Sequence, residues 1–367
     1  MSEHDLPQRN FTLASGGWPL ILAGLFGVFV LAMTLVPAIT RQGTRPPGDG
    51  RDPQSYGFDL TNATIATQKI APAQLHRDLS GKIVDPPWMR GSDMAALDAE
   101  IRGKYLTTHD RVIGVEIDGE ARAYPLLQLT VHEVINDTLG GHPIAVIYNP
   151  LGDLALVVER KVDEITHTFG TSGLVYESMP LLYRAREPIG DSGSPPLASL
   201  WSPLLGGAVT GADAAAGEKF VIIPSELTHW GRWIEKYPST SVLSLDRDRI
   251  DLYRNTNFSS YYQRGDILFP LSAPLDERLH PKARCLGVRR DGEWALYPFS
   301  TISANVPGDE GRWEVDGLTI FFARGPEIAF VDDPQVESIQ SLWFAWHAHH
   351  PGAKLAIGAA APEESGR

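Results

Sequence analysis

The sequence holds a single cysteine, Cys285, among 367 residues. One cysteine excludes an internal disulfide framework, a zinc site built of cysteines and a Cys-x-x-Cys redox pair. Cys285 opens the apolar run CLGV, where a small buried hydrophobe is the expected role. Positive charge is also short, with 32 Lys and Arg against 45 Asp and Glu and a formal net charge of −13. Nucleic-acid binding needs a basic stripe, so that class of partner is set aside. Neither His-Glu-x-x-His nor Gly-x-Ser-x-Gly occurs, which removes two familiar hydrolytic motifs. What remains, 43% hydrophobic and 21% charged, is a globular composition long enough for about two domains of ~150 residues.

Charge is missing locally as well. Residues 16–39 read GGWPLILAGLFGVFVLAMTLVPAI, a run of 24 without a charged side chain. A membrane span needs about 20 apolar residues and a signal-peptide core only ~7–15, so a helical anchor is expected. Cleavage after Val36-Pro37-Ala38 is the alternative. Arg9 precedes the run while Arg41, Arg45 and Arg51 follow it, which taken alone would keep the body in the cytoplasm. Residues 41–58, rich in Gly, Pro and Arg, read as a flexible tether, and residues 187–199 as an exposed loop.

The body repeats itself. Residues 112–125 read VIGVEIDGEARAYP and residues 285–298 read CLGVRRDGEWALYP, with Gly, Val, Asp, Gly, Glu, Tyr and Pro identical in register. Each is a hairpin signal with an Asp-Gly turn. Trp230-x2-Trp233 followed by Pro238 is echoed by Trp343-x2-Trp346 followed by Pro351. Tryptophans three apart share a helix face, so each helix is expected to pack its indoles on a sheet, starting at Ser225 in one copy and at Asp333-Pro334 in the other. The middle strands are IAVIY (144–148) and LTIFF (318–322). From Gly114 to Trp230 is 116 residues and from Gly287 to Trp343 is 56, so the first copy carries an insertion of about 60. The fold class expected is α+β: two pseudo-repeats of mixed, mostly antiparallel strands with one Trp-bearing helix each, plus the N-terminal transmembrane helix.

Divergence between the copies marks the candidate chemistry. After Tyr124-Pro125 the first copy continues LLQLTVHEVIND, read as a helix with His132, Glu133, Asn136 and Asp137 crowded near its end. His132 and Asn136 would then be i, i+4 neighbours, as would Glu133 and Asp137. The second copy has ANVPGDEG there. A His beside carboxylates can be a general base, a metal ligand or a helix cap. His132, Glu133 and Asp137 are therefore candidate catalytic residues, and His132 a candidate metal ligand. The insertion adds Ser172 in TFGTSGLVYES, either a nucleophile or an ordinary Ser turn. Asn136, His167, Tyr176, Tyr183 and Trp201 are candidates for a ligand pocket or a core. No cofactor is indicated.

At VIGVEIDGEARAYP, VHEVIND, Tyr148 with Pro150-Leu151, TSGLVY, SLWS, the paired Trp elements and FPLSAPLDERLHPKARCLGV, the sequence resembles the bacterial domain-of-unknown-function 3179 family over residues 70–357. Family members typically carry Tyr-Cys-Pro-Leu-Cys where this chain has Tyr148-Asn149-Pro150-Leu151-Gly152. Without thiolate and resolving thiol, the chemistry that such a pair implies is lost. The family's Asp-Arg pair after Leu182-Tyr183 is replaced by Arg184-Ala-Arg186. The resemblance implies export, which opposes the arginine count and takes precedence over it.

The expected organisation is a tail (1–15), an anchor (16–39), a tether (40–69), the first repeat (70–250) with its insertion at about 150–220, the second repeat (251–358) and a tail (359–367). The functional expectation is a non-redox binding or complex-assembly module in the cytoplasmic membrane, single-pass, with a periplasmic or extracellular body and a membrane protein as one candidate partner. An enzyme using the His132 and carboxylate cluster, with or without a metal, is the alternative. A reporter active only in the periplasm, fused after Arg367, should give signal; a silent reporter on intact protein would place the body on the other side.

Overall fold

The computed structural model describes residues 46–100, 104–162, 164–185, 197–325 and 327–356. Residues 16–39, and the anchor expected there, lie outside the described residues, as do both expected tails. Among the described residues no helix is long and apolar enough to cross a membrane. From Pro47 on, the described residues form one compact unit.

That unit is mixed α and β, mostly strands with a few short helices. Two hairpins organise it. Arg111–Ile117 pairs with Glu120–Pro125, and Arg284–Arg290 with Glu293–Pro298. Both turn on Asp-Gly with positive φ at each residue, the geometry that suits a two-residue hairpin loop. The first strand of each hairpin pairs antiparallel with the strand that leads into a Trp helix, Glu226–His229 in one case and Ser338–Leu342 in the other. The second strand pairs parallel with the strand that leaves that helix, Ser241–Leu243 or Lys354–Leu355. After Tyr-Pro each chain segment forms a seven-residue helix, Leu126–His132 or Phe299–Asn305. An antiparallel meander of three strands comes next each time: Val134–Leu139, His142–Asn149 and Leu154–Glu159, then Glu310–Val315, Leu318–Arg324 and Glu327–Val331; in the first, Ile83–Val84 adds a fourth strand, parallel to Val134–Leu139.

The glycine shared by VIGV and CLGV has a steric cause. An added Cβ on Gly114 would lie 2.2 Å from the Trp233 ring, and one on Gly287 2.2 Å from that of Trp346. Each indole lies flat against bare backbone, so no side chain fits beneath it. Cys285 sits in the same strand as Gly287, fully buried, with its thiol pushed up to about 12 by burial. It behaves as a small hydrophobe.

Several expectations are corrected. The Trp helices start at Trp230 and Trp343, not at Ser225 or Asp333, because residues 226–229 and 338–342 satisfy the free edges of the hairpins as strands. The helix after Pro125 ends at His132, and Asn136 and Asp137 lie on the next strand. The β-branched pair Thr130-Val131 and then Val134-Ile135 favour that early stop. The strand Leu154–Glu159 pairs with His142–Asn149, so the segment that separates this sheet from Glu226–His229, expected as the insertion, runs from about residue 160 to 225. It folds into a sheet of Thr168–Tyr176, Met179–Ala185 and Ala198–Ser202. Residues 46–69, expected in the tether, are part of the body: Phe58–Asp59 and Ile70–Pro72 add strands to that sheet, and Tyr56 is fully buried.

The two hairpin sheets meet at one carboxylate. Asp153, with no exposed surface, accepts from Arg111 at 2.9 and 3.3 Å and from Arg284 at 2.7 Å. Arg111 and Arg284 each stand one residue before the matched segments, at the start of the first strand of their hairpins. Tyr148 Oη donates to Asp153 at 2.9 Å and Gln340 Nε2 at 2.9 Å. Burial would raise this carboxyl, but the two guanidiniums outweigh it and hold it below the usual carboxylate range. A depressed folded value means that its contribution is complete above the unfolded value of about 3.9 and is lost as pH falls through the folded one. Asp153→Asn should therefore cost ~3–5 kcal/mol at neutral pH, by taking from partly buried Arg111 its carboxylate and leaving Arg284 only Glu327, and should flatten the acid limb of the stability profile. Urea denaturation from neutral to acid pH measures both; an unchanged midpoint would deny Asp153 this role.

Candidate functional site

The short helix Leu126–His132 is followed by an unusual residue. Glu133 donates its N–H to Leu129 at 2.8 Å, as a helical residue would, but its φ is 60°. A bulky residue in that region carries strain of ~1–3 kcal/mol, a cost that recurs at functional sites. The turn redirects the chain into Val134–Leu139 and aims the Glu133 side chain at the segment 74–80. There Ser80 Oγ donates to Glu133 Oε1 at 2.6 Å and Gln74 Nε2 donates at 3.1 Å. No lysine, arginine or histidine pairs with this carboxylate among the described residues. Burial pushes its pKa up, and the bonds from Ser80 and Gln74 only partly offset that.

Glu133 lines a cavity of about 500 Å³. One wall comes from the insertion, through Thr171, Leu174 and Leu181, and another from Pro150 and Leu151. Leu79, Leu252 and Leu268 line it too and are about half exposed at 47%, 49% and 51%. Isolated exposed leucines are ordinary, but three around one opening form an apolar rim. Two polar atoms of lining residues have no hydrogen-bond partner although buried: Gln74 Oε1 and Thr171 Oγ1. The Gln74 amide cannot be turned round to relieve this, since its nitrogen must face the Glu133 carboxylate.

The remaining sequence candidates do not gather at this cavity. His132 is buried with both ring nitrogens engaged: Nδ1 donates to the Gly81 carbonyl at 2.6 Å and Nε2 accepts from Tyr253 Oη at 2.9 Å. Burial lowers its pKa, so it is a neutral strut. Holding Gly81 also holds Ser80, and through it Glu133. With its one lone pair used, His132 cannot ligate a metal as placed, and no group of three His, Cys, Asp or Glu suited to a metal occurs among the described residues. Asn136 clamps Phe169, donating to its carbonyl at 2.9 Å and accepting from its N–H at 2.8 Å. Asp137 accepts from Arg122 at 2.6 Å and Tyr124 at 2.8 Å. Ser172 Oγ donates to the Leu181 carbonyl at 2.6 Å and accepts from Leu174 N–H at 3.0 Å, which leaves it tied into a bulged strand. Tyr183 bonds Asp78 and receives Lys82 Nζ at 2.8 Å, Trp201 donates to Asp213 at 3.1 Å, and half-buried Tyr176 packs against His349. His167 is half-buried, with its pKa lowered by burial first and by Arg184 second.

Two small groups shape the loop between Tyr148 and Asp153. Asn149 Oδ1 accepts from Gly152 N–H at 3.0 Å, which closes the turn, and an added Cβ on Gly152 would lie 2.3 Å from Met179. The two positions where the resemblance expects sulfur are thus an amide that shapes the loop and a glycine covered by the end of the Met179 side chain. Arg184, at the other departure, pairs with Asp213 and Glu218 at 2.8 Å each.

Residue order alone pointed to Glu133, but gave no signal for Gln74, Ser80 or Thr171, which come from distant segments. A raised carboxyl pKa in the folded state favours stability at low pH, and this is lost as pH climbs from the unfolded value of about 4.3 through the folded one. Glu133→Gln removes that loss. Its unfolding midpoint relative to wild type should rise with pH across this window; parallel profiles would show that Glu133 is not held in the way described.

No curated protein and no solved structure matches the chain. The profile of a family described as protein of unknown function (DUF3179) matches residues 84–311, which include the first hairpin, Glu133 and Asp153. The chain belongs to that family.

Proposed function

We propose that this protein is a non-redox small-molecule binding module, and that the Glu133 cavity is its binding site. One observation carries the reading: an apolar cavity of about 500 Å³ with a buried, unpaired carboxylate in its wall. That volume falls within the ~300–1,000 Å³ of small-molecule sites, and apolar walls with a few convergent polar groups are their usual chemistry. A thiol mechanism has no support in a chain whose one cysteine is buried and hard to ionise. The elevated pKa of Glu133 also favours a second reading, an enzyme in which this carboxyl transfers a proton.

The proposal extends to organisation. Residues 16–39 would anchor the chain in the cytoplasmic membrane, with the body outside the cytoplasm and a membrane protein as one candidate partner. The two hairpin units would be copies of one ancestral unit, a reading supported by matching strand order, strand sense, Gly-under-Trp contact and the equivalent arginines on Asp153. The second unit has buried Val306 at the end of its short helix, where the first has Glu133, so the site would belong to the first alone.

An uncharged solvatochromic dye should brighten with the full-length chain, and Leu252→Glu, which places a hydrated carboxylate at the mouth, should weaken that several-fold. Absence of dye binding, or binding indifferent to the substitution, would sink the reading.

A further inference from the structure

Three polar groups of the cavity can each accept a further hydrogen bond. Glu133 is an acceptor when ionised, Gln74 Oε1 is an acceptor without a donor, and Thr171 Oγ1 can accept through either lone pair. No cation answers the carboxylate among the described residues. A buried charge without a counter-charge is costly, and a buried polar atom without a partner costs ~1–3 kcal/mol. A ligand that brings positive charge and several N–H donors relieves these costs together. A ligand carboxylate or phosphate would add to them. Around these groups the cavity is apolar, from Leu174 and Leu181 inside to the exposed rim of Leu79, Leu252 and Leu268.

Resting on the binding-site reading above, we infer that the ligand is a cationic amphiphile, with an ammonium group seated among Glu133, Gln74 and Thr171 and an apolar body that extends to the leucine rim. An ammonium carries three N–H donors, and the cavity offers three kinds of acceptor oxygen. Its charge supplies what burial denies Glu133, so the carboxylate is ionised in the complex. Arg249 also lines the cavity, but it is about half exposed and lies 3.4 Å from Asp246, so solvent and its own partner screen it from an incoming cation.

Three six-carbon probes decide the matter: hexylammonium, hexan-1-ol and hexanoate, titrated calorimetrically into the full-length chain in phospholipid nanodiscs, with empty nanodiscs as the blank. Hexylammonium should bind most tightly, hexan-1-ol more weakly and hexanoate least. Glu133→Gln should reduce hexylammonium affinity ~10- to 100-fold, the worth of a charge-assisted hydrogen bond, and leave hexan-1-ol within a few-fold. Hexanoate binding as well as hexylammonium in the wild type overturns the inference without needing any variant. So does hexylammonium affinity that is unchanged in a folded Glu133→Gln protein. Either result leaves the cavity a binding site for another class, whereas failure of all three probes removes the binding-site reading itself.

Discussion

Asp153 is the point on which the molecule turns. It lies in the loop after the middle strand of the first unit, yet its carboxylate is shared between the leading arginines of both hairpins and Gln340 of the second unit. A buried ionic cluster of this kind contributes less through net attraction than through the penalty for breaking it. The arrangement therefore specifies which surfaces meet. In this placement of the hairpin sheets both guanidiniums reach the same carboxylate, and Trp343, Trp346, Cys285, Trp201 and Phe169 share one apolar cluster.

The cavity shares that loop. Pro150 and Leu151, two of its wall residues, lie between Tyr148 and Asp153, both of which belong to the ionic cluster. The wall of the candidate site is thus held from behind by the buried Asp153 cluster. Opposite it, the segment carrying Gln74 and Ser80 is pinned by His132 on Gly81 and by the backbone bonds of Ala73 and Gln74 to Gly173. Preorganisation of this sort lowers the ordering cost of binding.

Local chemistry was legible in the sequence where a few adjacent residues decide the outcome. The Asp-Gly turns, the packing of the paired tryptophans on a sheet and the buried role of Cys285 are of this kind. Helix limits were not, because a free hairpin edge claims residues 226–229 and 338–342 as strands whatever their own preference. The run from His132 to Asp137 is not one helix face: positive φ at Glu133 ends the helix, with Glu133 at the cavity and Asp137 on the next strand, bonded to Arg122. Asp153 and its arginines stood in view, one residue outside the matched segments, but pairing across 131 positions leaves no periodic trace.

Residues 160–225 divide the first hairpin from its Trp helix, and that has a consequence in chain entropy. Closing Gly114 onto Trp233 gathers a loop about twice as long as closing Gly287 onto Trp346. Loop-closure entropy grows only logarithmically, so the doubling costs about 0.6 kcal/mol. A scaffold joined by contacts rather than by sequence proximity can therefore accept some sixty residues between its parts at the expense of less than one hydrogen bond. Order of assembly is affected more than stability: the shorter second unit has the more local contacts and can form first, offering the first unit a surface on which to close.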